Sequence, residues 1–343
     1  MRVGILTGGG DCPGLNAVIR GVVRTGIRRY DHEHVGIRHG WRGLFERDVI
    51  PLDQDRVSGI LPLGGTMLRS SRTNPYSRDG GPEEVLAAAK DLGIDALVAI
   101  GGEDTLGVAD KLYKDYAFPV VGVPKTIDND LSGTDVTFGF WTAVQIAVDA
   151  IDRLHTTADS HDRIIVVEVM GRHAGWIALE SGIAGGAHVI LLPERPTTVD
   201  RVAELLNQRL ERGKEFAIVV VSEGVQFEGT SSSADDLDEF GHVKLADVGV
   251  ATFLADRLKT MTGKDCRAVV LGHIQRGGSP LAFDRSLATR FGVHAAEMVA
   301  GGLFGRMAAV RGADILDVPL AEAVGTLKTV PPERFEEKNP FIG

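Results

Sequence analysis

Four carboxylates and one lysine lie in two short polar strings of this sequence, GGEDT and PKTIDND. These side chains are Glu103, Asp104, Lys125, Asp128 and Asp130. A carboxylate held beside a hydroxyl can accept its proton, and a lysine ammonium can neutralise a leaving anion. Paired aspartates also occur in turns for structural reasons, because their side chains hydrogen-bond to the nearby backbone. The stretch from 101 to 130 is therefore the candidate for acid–base or phosphoryl-transfer chemistry.

Each polar string directly follows an apolar run that is typical of a buried β-strand. IDALVAI (94–100) precedes the first string, and PVVGV (119–123) precedes the second. Open α/β sheets bind their ligands outside the carboxyl ends of their strands. We therefore predict that both strings lie where such a sheet carries its chemistry.

A glycine-rich turn, TGGGDCPGLN, follows the first predicted strand, MRVGIL. A helix is predicted over 16–30, with Asn16 as its N-cap. In a strand, glycine turn and helix of this kind, backbone N–H groups can approach an anion near the helix start. The glycine turn therefore indicates either a phosphate site or only a tight turn.

Arginines occupy several other predicted turns. LGGTMLRSSRTNPYSRDGG contains three of them and reads either as an anion site or as a solvated loop. Two later strand-and-turn strings, RIIVVEVMGRHAGW and CRAVVLGHIQRGGSP, carry Arg163, Arg172, Arg267, His273 and Arg276.

Predicted strands and helices of ordinary length alternate along the chain, which is typical of parallel sheets with helices on both faces. A chain of 343 residues with 43% hydrophobic content is long enough for about two domains. The predicted fold class is α/β with two lobes, each a largely parallel sheet covered by helices on both faces. The acidic, serine-rich segment 226–244 is predicted to be an exposed excursion, and residues 331–343 to be a surface extension.

The composition limits the classes of partner. The chain has 37 basic and 47 acidic residues and a net charge of −10. Such a chain is poorly suited to hold nucleic acid or an anionic membrane by its long-range field, so any phosphate site must be local. Only Cys12 and Cys266 are present, which predicts neither a disulfide framework nor a zinc cluster and favours a reducing cytoplasm. No export signal or membrane-spanning run is indicated.

Taken together, the strings resemble one family. TGGGDCPGLN, GGTMLRSSR, GGEDT, PKTIDND, SHDRI, MGRHAG, SEG and CRAVVLGHIQRGG occur in the order and approximate spacing of the 6-phosphofructokinases, from residue 1 to about residue 305. The resemblance implies transfer of a phosphoryl group to the 1-hydroxyl of fructose 6-phosphate, with Mg²⁺ as cofactor. It also implies lobes of 1–139 plus about 251–305 for the phosphoryl donor and 140–250 plus about 306–343 for the sugar phosphate.

The same resemblance implies roles for individual residues. Asp128 would be the general base, supported by Thr126 and Asp130. Arg72 and Arg172 would steady the transferred group, Gly10 and its loop would cradle the donor phosphates, and Glu103 would be the magnesium-side carboxylate. The sugar phosphate would be bound by Arg163, Met170, Glu223, Arg267, His273 and Arg276. Two of these arginines come from a neighbouring subunit in the family, which implies a homo-oligomer, a dimer or a tetramer.

Two positions differ from the ATP-using members of the family. Asp104 and Lys125 stand where those members have glycines that leave room for the nucleotide, and this pair resembles the pyrophosphate-dependent members. A donor that ends at its second phosphorus needs no further cavity, and an ammonium suits the leaving phosphate. The alternatives are an ATP-dependent 6-phosphofructokinase, with the pair as an incidental salt bridge, and a non-catalytic, sugar-phosphate-binding regulatory subunit.

A third position bears on regulation. Bacterial ATP-dependent members bind effectors with a basic cluster, which Arg20, Arg24 and Lys214 match here. His155 replaces an expected arginine, so we predict weak or absent effector control.

Overall fold

The computed structural model describes residues 1–228 and 249–336, which form two compact units. The first unit contains Met1–Ile127, Leu131–Thr142 and Arg276–Leu327. The second contains Asp128–Asp130, the described residues of Ala143–Gln275 and the described residues from Lys328 onwards.

The boundaries between the units lie after Gln275 and after Leu327, whereas the resemblance implies lobe boundaries near 251 and 305. Residues 251–275 belong to the second unit, because strand β9 (Cys266–Val270) pairs with β6 (Ile164–Val169) of that unit. Residues 306–327 belong to the first unit, because β10 (Arg306–Arg311) pairs with β5 (Val120–Pro124). Strand pairing between segments distant in sequence therefore decides both boundaries.

The first unit is built on a seven-stranded sheet in the order β11-β10-β5-β4-β1-β2-β3. Its other strands are β1 (Arg2–Thr7), β2 (Glu33–Ile37), β3 (Val49–Leu52), β4 (Ala96–Gly101) and β11 (Asp314–Pro319). The two outermost strands run antiparallel to their neighbours and the remaining pairs are parallel. The interior strands are almost entirely buried, as expected for a sheet covered on both faces.

The helices of this unit are α1 (Leu15–Tyr30), α2 (Arg42–Glu46), α3 (Gly81–Asp91), α4 (Glu103–Tyr116), α9 (Ala282–Ala300) and α10 (Leu320–Val324). Helices α1 and α9 approach each other at two glycines. A Cβ on Gly21 would lie 2.9 Å from the Thr289 carbonyl oxygen, and one on Gly292 would lie 2.4 Å from that of Val18. Larger residues at these positions would push the helices apart.

The second unit contains a wholly parallel sheet in the order β7-β8-β6-β9, in which β7 is Val189–Leu191 and β8 is Ala217–Ser222. Its helices are α6 (Trp176–Ala184), α7 (Val199–Glu211), α8 (Val250–Thr262) and α11 (Pro332–Glu336). Helix α5 (Phe140–Ser160) starts in the first unit and continues in the second. Both sheets are flanked by helices, so the predicted α/β class with largely parallel sheets is confirmed.

The two polar strings emerge where the sequence places them. Gly101 at the end of β4 pairs with Pro124 at the end of β5, so GGEDT and PKTIDND leave neighbouring parallel strands at one sheet edge. Most of the predicted excursion at 226–244 lies outside the described residues, as does the end of the C-terminal extension. Helix α11 of that extension buries Phe335, and the Arg195 guanidinium lies 4.2 Å from the centre of its ring. Across the described ranges, no helix is both long and apolar enough to cross a membrane.

Candidate active site

The glycine turn between β1 and α1 uses part of its backbone internally. Gly8 N–H donates to the Ile100 carbonyl at 2.9 Å, and Gly9 N–H donates to the Ser71 carbonyl at 3.0 Å. Gly9 has φ 77°, a conformation that favours glycine. Since these two N–H groups are already engaged, Gly10 is the glycine of the triplet best placed to offer its N–H to an anion.

Two cationic side chains lie against Gly10. The Lys125 ammonium donates a hydrogen bond to its carbonyl oxygen, and Lys125 is only 4% exposed. On the other side, a Cβ added to Gly10 would fall 1.6 Å from Nη1 of Arg276. Arg276 was expected among the sugar-phosphate ligands, but the structure groups it with the glycine turn. Positive charge is therefore concentrated on this turn within the first unit.

Lys125 is fixed through its backbone at the end of β5. Its N–H donates to the Gly101 carbonyl at 2.9 Å, and it forms a bridge with Phe138. Glu103 and Asp104 lie in the first turn of α4, where acidic side chains suit the helix dipole. Glu103 is exposed and Asp104 is half-buried.

The loop that carries Arg72 is tied to the glycine turn. Ser70 Oγ donates to the Gly9 carbonyl, and Thr7 Oγ1 donates to the Arg69 carbonyl at 2.7 Å. Together with the Gly9–Ser71 bond, these contacts hold the loop beside the turn while Arg72 itself stays exposed. The loop is therefore fixed in place by hydrogen bonds to the first unit and is not merely solvated.

Asn16 anchors the beginning of the same loop and is not an N-cap. Gly14, in a left-handed conformation, precedes α1 instead, and Asn16 is buried within the helix. Its amide nitrogen donates to the carbonyls of Leu63 (3.1 Å) and Gly64 (3.2 Å), and its Oδ1 accepts from Met67 N–H at 2.9 Å. The side chain thus fixes the loop to the first turn of the helix.

The turn after Lys125 passes from the first unit into the second. Thr126, in the first unit, is half-buried, and its carbonyl accepts from Thr137 Oγ1 at 2.7 Å. Asp128 and Asp130, in the second unit, are both half-buried. Between them Asn129 is 4% exposed and has φ 53°. An asparagine tolerates this left-handed conformation better than most residues.

Three predicted site residues meet at the carboxyl ends of β6 and β8. Gly224 N–H donates to the Gly171 carbonyl at 3.2 Å, which joins the turn of Met170 and Arg172 to that of Glu223. Gly171 has φ 130° and would clash with Ser222 Oγ if it carried a Cβ. These contacts hold Met170, Arg172 and Glu223 at one sheet edge.

His273 lies at the same edge, and the nearby Gln275 of its turn connects that turn to the turn of Met170. His273 is exposed in the short turn Gly272–Arg276 that follows β9. The buried Gln275 accepts a hydrogen bond from Met170 N–H at 2.8 Å through its Oε1. No sequence pattern marks this contact, because it joins two turns 105 residues apart.

Arg163 and Arg267 lie at the opposite end of the second unit's sheet. Both contact Asp265 Oδ2, at 2.8 Å from Arg163 Nε and 3.2 Å from Arg267 Nη2. Burial alone would raise the pKa of Asp265, but its contacts with these arginines lower that pKa overall. Strand β6 separates Arg163 from Arg172 by a rise of about 20 Å. One chain therefore does not bring these arginines together with Arg172.

A magnesium ion fits this site only if the substrate supplies ligands. Within residues 1–228 and 249–336, no group of three or more His, Cys, Asp or Glu side chains could hold a metal ion. Mg²⁺ is commonly bound by one or two carboxylates together with substrate phosphates and water. The exposed Glu103 at the start of α4 fits that mode of binding.

The residues predicted to matter for effector binding are spread over both units. Arg20 and Arg24 lie on α1, and burial followed by the charges of Arg24 and Arg28 lowers the pKa of Arg20. In the second unit, His155 shares a 2.7 Å hydrogen bond with the Gly185 carbonyl and packs edge-on against His188. Lys214, also in the second unit, is exposed.

Comparison with known proteins gives consistent matches over the chain. The profile of the family described as Phosphofructokinase matches residues 2–299. A protein of Amycolatopsis methanolica named pyrophosphate–fructose 6-phosphate 1-phosphotransferase is 62% identical over 346 residues, covering 100% of both chains. A Streptomyces coelicolor protein named ATP-dependent 6-phosphofructokinase 3 is 52% identical over 339 residues, covering 98% of each. Among solved structures, a pyrophosphate-dependent phosphofructokinase of Marinobacter aquaeolei is 26% identical and has a TM-score of 0.83, covering 100% of this chain and 92% of that one.

Proposed function

Since the chain belongs to the phosphofructokinase family, we propose that it transfers a phosphoryl group reversibly from pyrophosphate to the 1-hydroxyl of fructose 6-phosphate. The products are fructose 1,6-bisphosphate and phosphate. The observation that carries the choice of donor is the buried Lys125 ammonium, which lies against the carbonyl of Gly10. The 57–62% identity to relatives named for pyrophosphate supports the same choice.

Asp128 accepts the proton of the 1-hydroxyl as the oxygen attacks phosphorus. The new O–P bond forms while the bridging P–O bond of pyrophosphate breaks, and phosphate leaves with the electron pair of that bond. Thr126 and Asp130 support this turn. A base acts here mainly in the transition state, because it stabilises an oxygen that becomes a better nucleophile as the proton moves.

Positive side chains stabilise the charge that spreads over the transferred group. Arg72 and Arg172 bind its equatorial oxygens, which planar guanidinium groups do well. Gly10 offers its N–H to the donor, and Lys125 neutralises the leaving phosphate as a point charge. Asp104 fills space that a nucleotide would need and orients Lys125. We assign Arg276 to this donor side as well, because its guanidinium lies at Gly10.

Mg²⁺ is the expected cofactor, and Glu103 would help to hold it, directly or through water, together with phosphate oxygens of the donor. When bound, it withdraws negative charge from those oxygens. The exposed position of Glu103 leaves its carboxylate accessible for this purpose.

The sugar phosphate is bound by His273, Met170 and Glu223 at the carboxyl edge of the second unit's sheet. Along the strands, Arg163 lies about 20 Å from that edge and Arg267, which is level with Ile165, lies about 13 Å from it. We assign both arginines to the 6-phosphate of a neighbouring subunit's site. This arrangement requires a homo-oligomer, at least a dimer. We place the protein in the cytoplasm, where these phosphorylated substrates are found and where its two cysteines stay as free thiols.

An ATP-dependent 6-phosphofructokinase is the second candidate, because relatives with that name are 51–53% identical to the chain. A non-catalytic regulatory subunit is disfavoured, since Thr126, Asp128, Arg72 and Arg172 are all present.

The test is formation of fructose 1,6-bisphosphate from fructose 6-phosphate and Mg²⁺ by the purified protein. We expect turnover with pyrophosphate at least about 100-fold above that with ATP, equivalent to about 2.7 kcal/mol. Comparable rates with ATP, or no rate with pyrophosphate, would contradict the proposal.

A further inference from the structure

The segment Lys328–Val330 follows the last helix of the first unit in sequence and belongs to the second unit. Within that unit it contacts the turn that contains Asp130 and the start of helix α6. Lys328 N–H donates to the Asp130 carbonyl at 2.8 Å. The Lys328 carbonyl in turn accepts from Trp176 Nε1 at 2.9 Å. The segment lies beyond residue 299, where the family profile ends. We call Lys328–Val330 the strap.

The Lys328 side chain reaches the same turn as its backbone. Its ammonium donates to Asn129 Oδ1 at 2.9 Å and lies 5.6 Å from the centre of the Trp176 ring, within range of a cation–π contact. Asn129 is the buried residue with φ 53° that separates Asp128 from Asp130. Lys328 therefore holds the turn at two successive residues, with one bond from its backbone and one from its side chain.

The other end of the strap reaches the turn of Arg172. Glu194 accepts hydrogen bonds through Oε1 from both Gly175 N–H and Val330 N–H, each at 2.9 Å. Gly175 is the residue before α6 and closes the turn that contains Arg172. The strap thus joins the turn of the proposed base to the turn that presents Arg172.

The Lys328 ammonium adds a charge-assisted hydrogen bond to the residue between two carboxylates, at a half-buried position. An ammonium loses hydration at such a position, and this loss is offset only where its partners are well placed. The contact is therefore directed at the geometry of Asp128–Asp130.

We propose that Lys328 is a positioning residue for phosphoryl transfer, which holds the Asp128–Asp130 turn so that Asp128 meets the acceptor hydroxyl. This inference rests on the proposed function, because Lys328 acts through Asp128. Misplacing a catalytic group by about 1 Å can reduce turnover about 100-fold, whereas binding of the sugar phosphate depends on other side chains.

The first test compares Lys328→Met with Lys328→Arg, which keeps a cation and a hydrogen-bond donor. Lys328→Met should lower kcat about 10- to 100-fold and leave KM for fructose 6-phosphate within about threefold. Lys328→Arg should recover kcat to within about fivefold of wild type. Lys259→Met, which removes the same charge from an exposed position in the last turn of α8, is the matched control and should leave kcat unchanged. A Lys328→Met enzyme with kcat within twofold of wild type, or one whose defect lies wholly in KM, overturns the inference.

The second test uses Asn129→Gly, which accepts φ 53° without strain but removes the oxygen that Lys328 contacts. If Lys328 works through Asn129, the double variant with Lys328→Met should have about the kcat of Lys328→Met alone. If the double variant instead showed the product of the two single-variant losses of kcat, Lys328 would not act through its contact with Asn129.

These outcomes separate the inference from the proposed function. The kcat ratios are measured with whichever donor wild type uses, so an enzyme that uses only ATP refutes the proposed donor and still tests Lys328. If the wild-type protein is inactive with both donors, the inference is tested by comparing crystal structures of wild type and Lys328→Met. Loss of the left-handed conformation at Asn129 supports the inference, and an unchanged Asp128–Asp130 turn refutes it.

Discussion

The ammonium of Lys125 donates a hydrogen bond to the carbonyl oxygen of Gly10 and is almost completely buried. The Gly10 turn is contacted by two cationic side chains, those of Lys125 and Arg276, which concentrate positive charge on it. The contact joins the end of β5 to the turn that follows β1, so the fold itself fixes the position of this charge.

Replacing Lys125 by methionine should remove the charge and keep most of the volume of the side chain. We expect kcat with pyrophosphate to fall about 10²- to 10³-fold, because the leaving phosphate loses its stabilising cation. Steady-state kinetics measure the effect, and circular dichroism checks the fold. Lys90→Met, at the exposed end of α3, is the control for loss of one lysine. A Lys125→Met enzyme within fivefold of wild type would show that Lys125 does not serve the leaving group.

Replacing Asp128 by alanine should remove the general base. Turnover should fall about 10²- to 10⁴-fold, because proton transfer then depends on water. Fructose 6-phosphate binding, measured by isothermal titration calorimetry, should stay within a fewfold of wild type, since a base contributes mainly in the transition state. Near-normal turnover would remove Asp128 from this role.

Alanine at Gly10 should displace Arg276, because the new Cβ would lie 1.6 Å from its Nη1. We expect kcat/KM for pyrophosphate to fall about 10- to 100-fold. In an Arg276→Ala variant, adding Gly10→Ala should lower kcat/KM for pyrophosphate little further. A large additional loss would indicate a general disturbance of the turn and not displacement of Arg276.

Gly107→Ala is the matched control for this change. Gly107 lies within α4 and has open space around the position of a Cβ. Alanine there should stabilise the helix by about 0.5–1 kcal/mol and leave activity unchanged. Equal loss of activity in Gly107→Ala and Gly10→Ala would refute the explanation by Arg276.

Acid should destabilise the protein through His34, which is buried, and His188, which is half-buried. Burial, followed by neighbouring charge, lowers the pKa of His34 and of His188 from 6.5 to about 4. The contribution of these two histidines to the free energy of unfolding is therefore complete above pH 6.5. It is lost as the pH falls from 6.5 towards 4, because the unfolded chain binds protons at a higher pH than the folded chain does. The free energy of unfolding should fall by about 2 kcal/mol between pH 7 and pH 5 for His34, and by about 1 kcal/mol for the more exposed His188.

His188→Asn tests this account. His188 Nδ1 accepts from Ile218 N–H at 2.9 Å, and an asparagine oxygen can replace that acceptor without titrating. Urea unfolding at pH 7 and pH 5 should show a smaller loss of stability on acidification in the variant. An identical pH dependence would mean that His188 does not contribute.

Local pattern predicted that the two polar strings leave strands of one sheet. Buried apolar runs end at Gly101 and Pro124, and β4 and β5 are neighbours in the sheet. Such local patterns do not predict which strands pair when they are distant in sequence. Strand β10 pairs with β5 through Arg306 and Val121, 185 residues apart, and this pairing brings residues 306–327 into the first unit.

Side-chain contacts between turns were likewise hidden from the sequence. Arg276 lies in a turn with His273 and is expected by resemblance to bind the sugar phosphate, and its guanidinium lies at Gly10. Asn16 looks like a helix cap in sequence, but its amide binds a loop about 50 residues away. Lys328 lies in a stretch without any motif, and only the folded turn of Asn129 gives it a partner.

The most direct test of the account places both donors in one reaction. Wild-type protein is incubated with fructose 6-phosphate, Mg²⁺ and equal concentrations of pyrophosphate and ATP, and ³¹P NMR follows each donor. We predict that the pyrophosphate resonance declines as phosphate and fructose 1,6-bisphosphate appear, while ATP persists. Formation of ADP at a rate equal to or above the loss of pyrophosphate would contradict it.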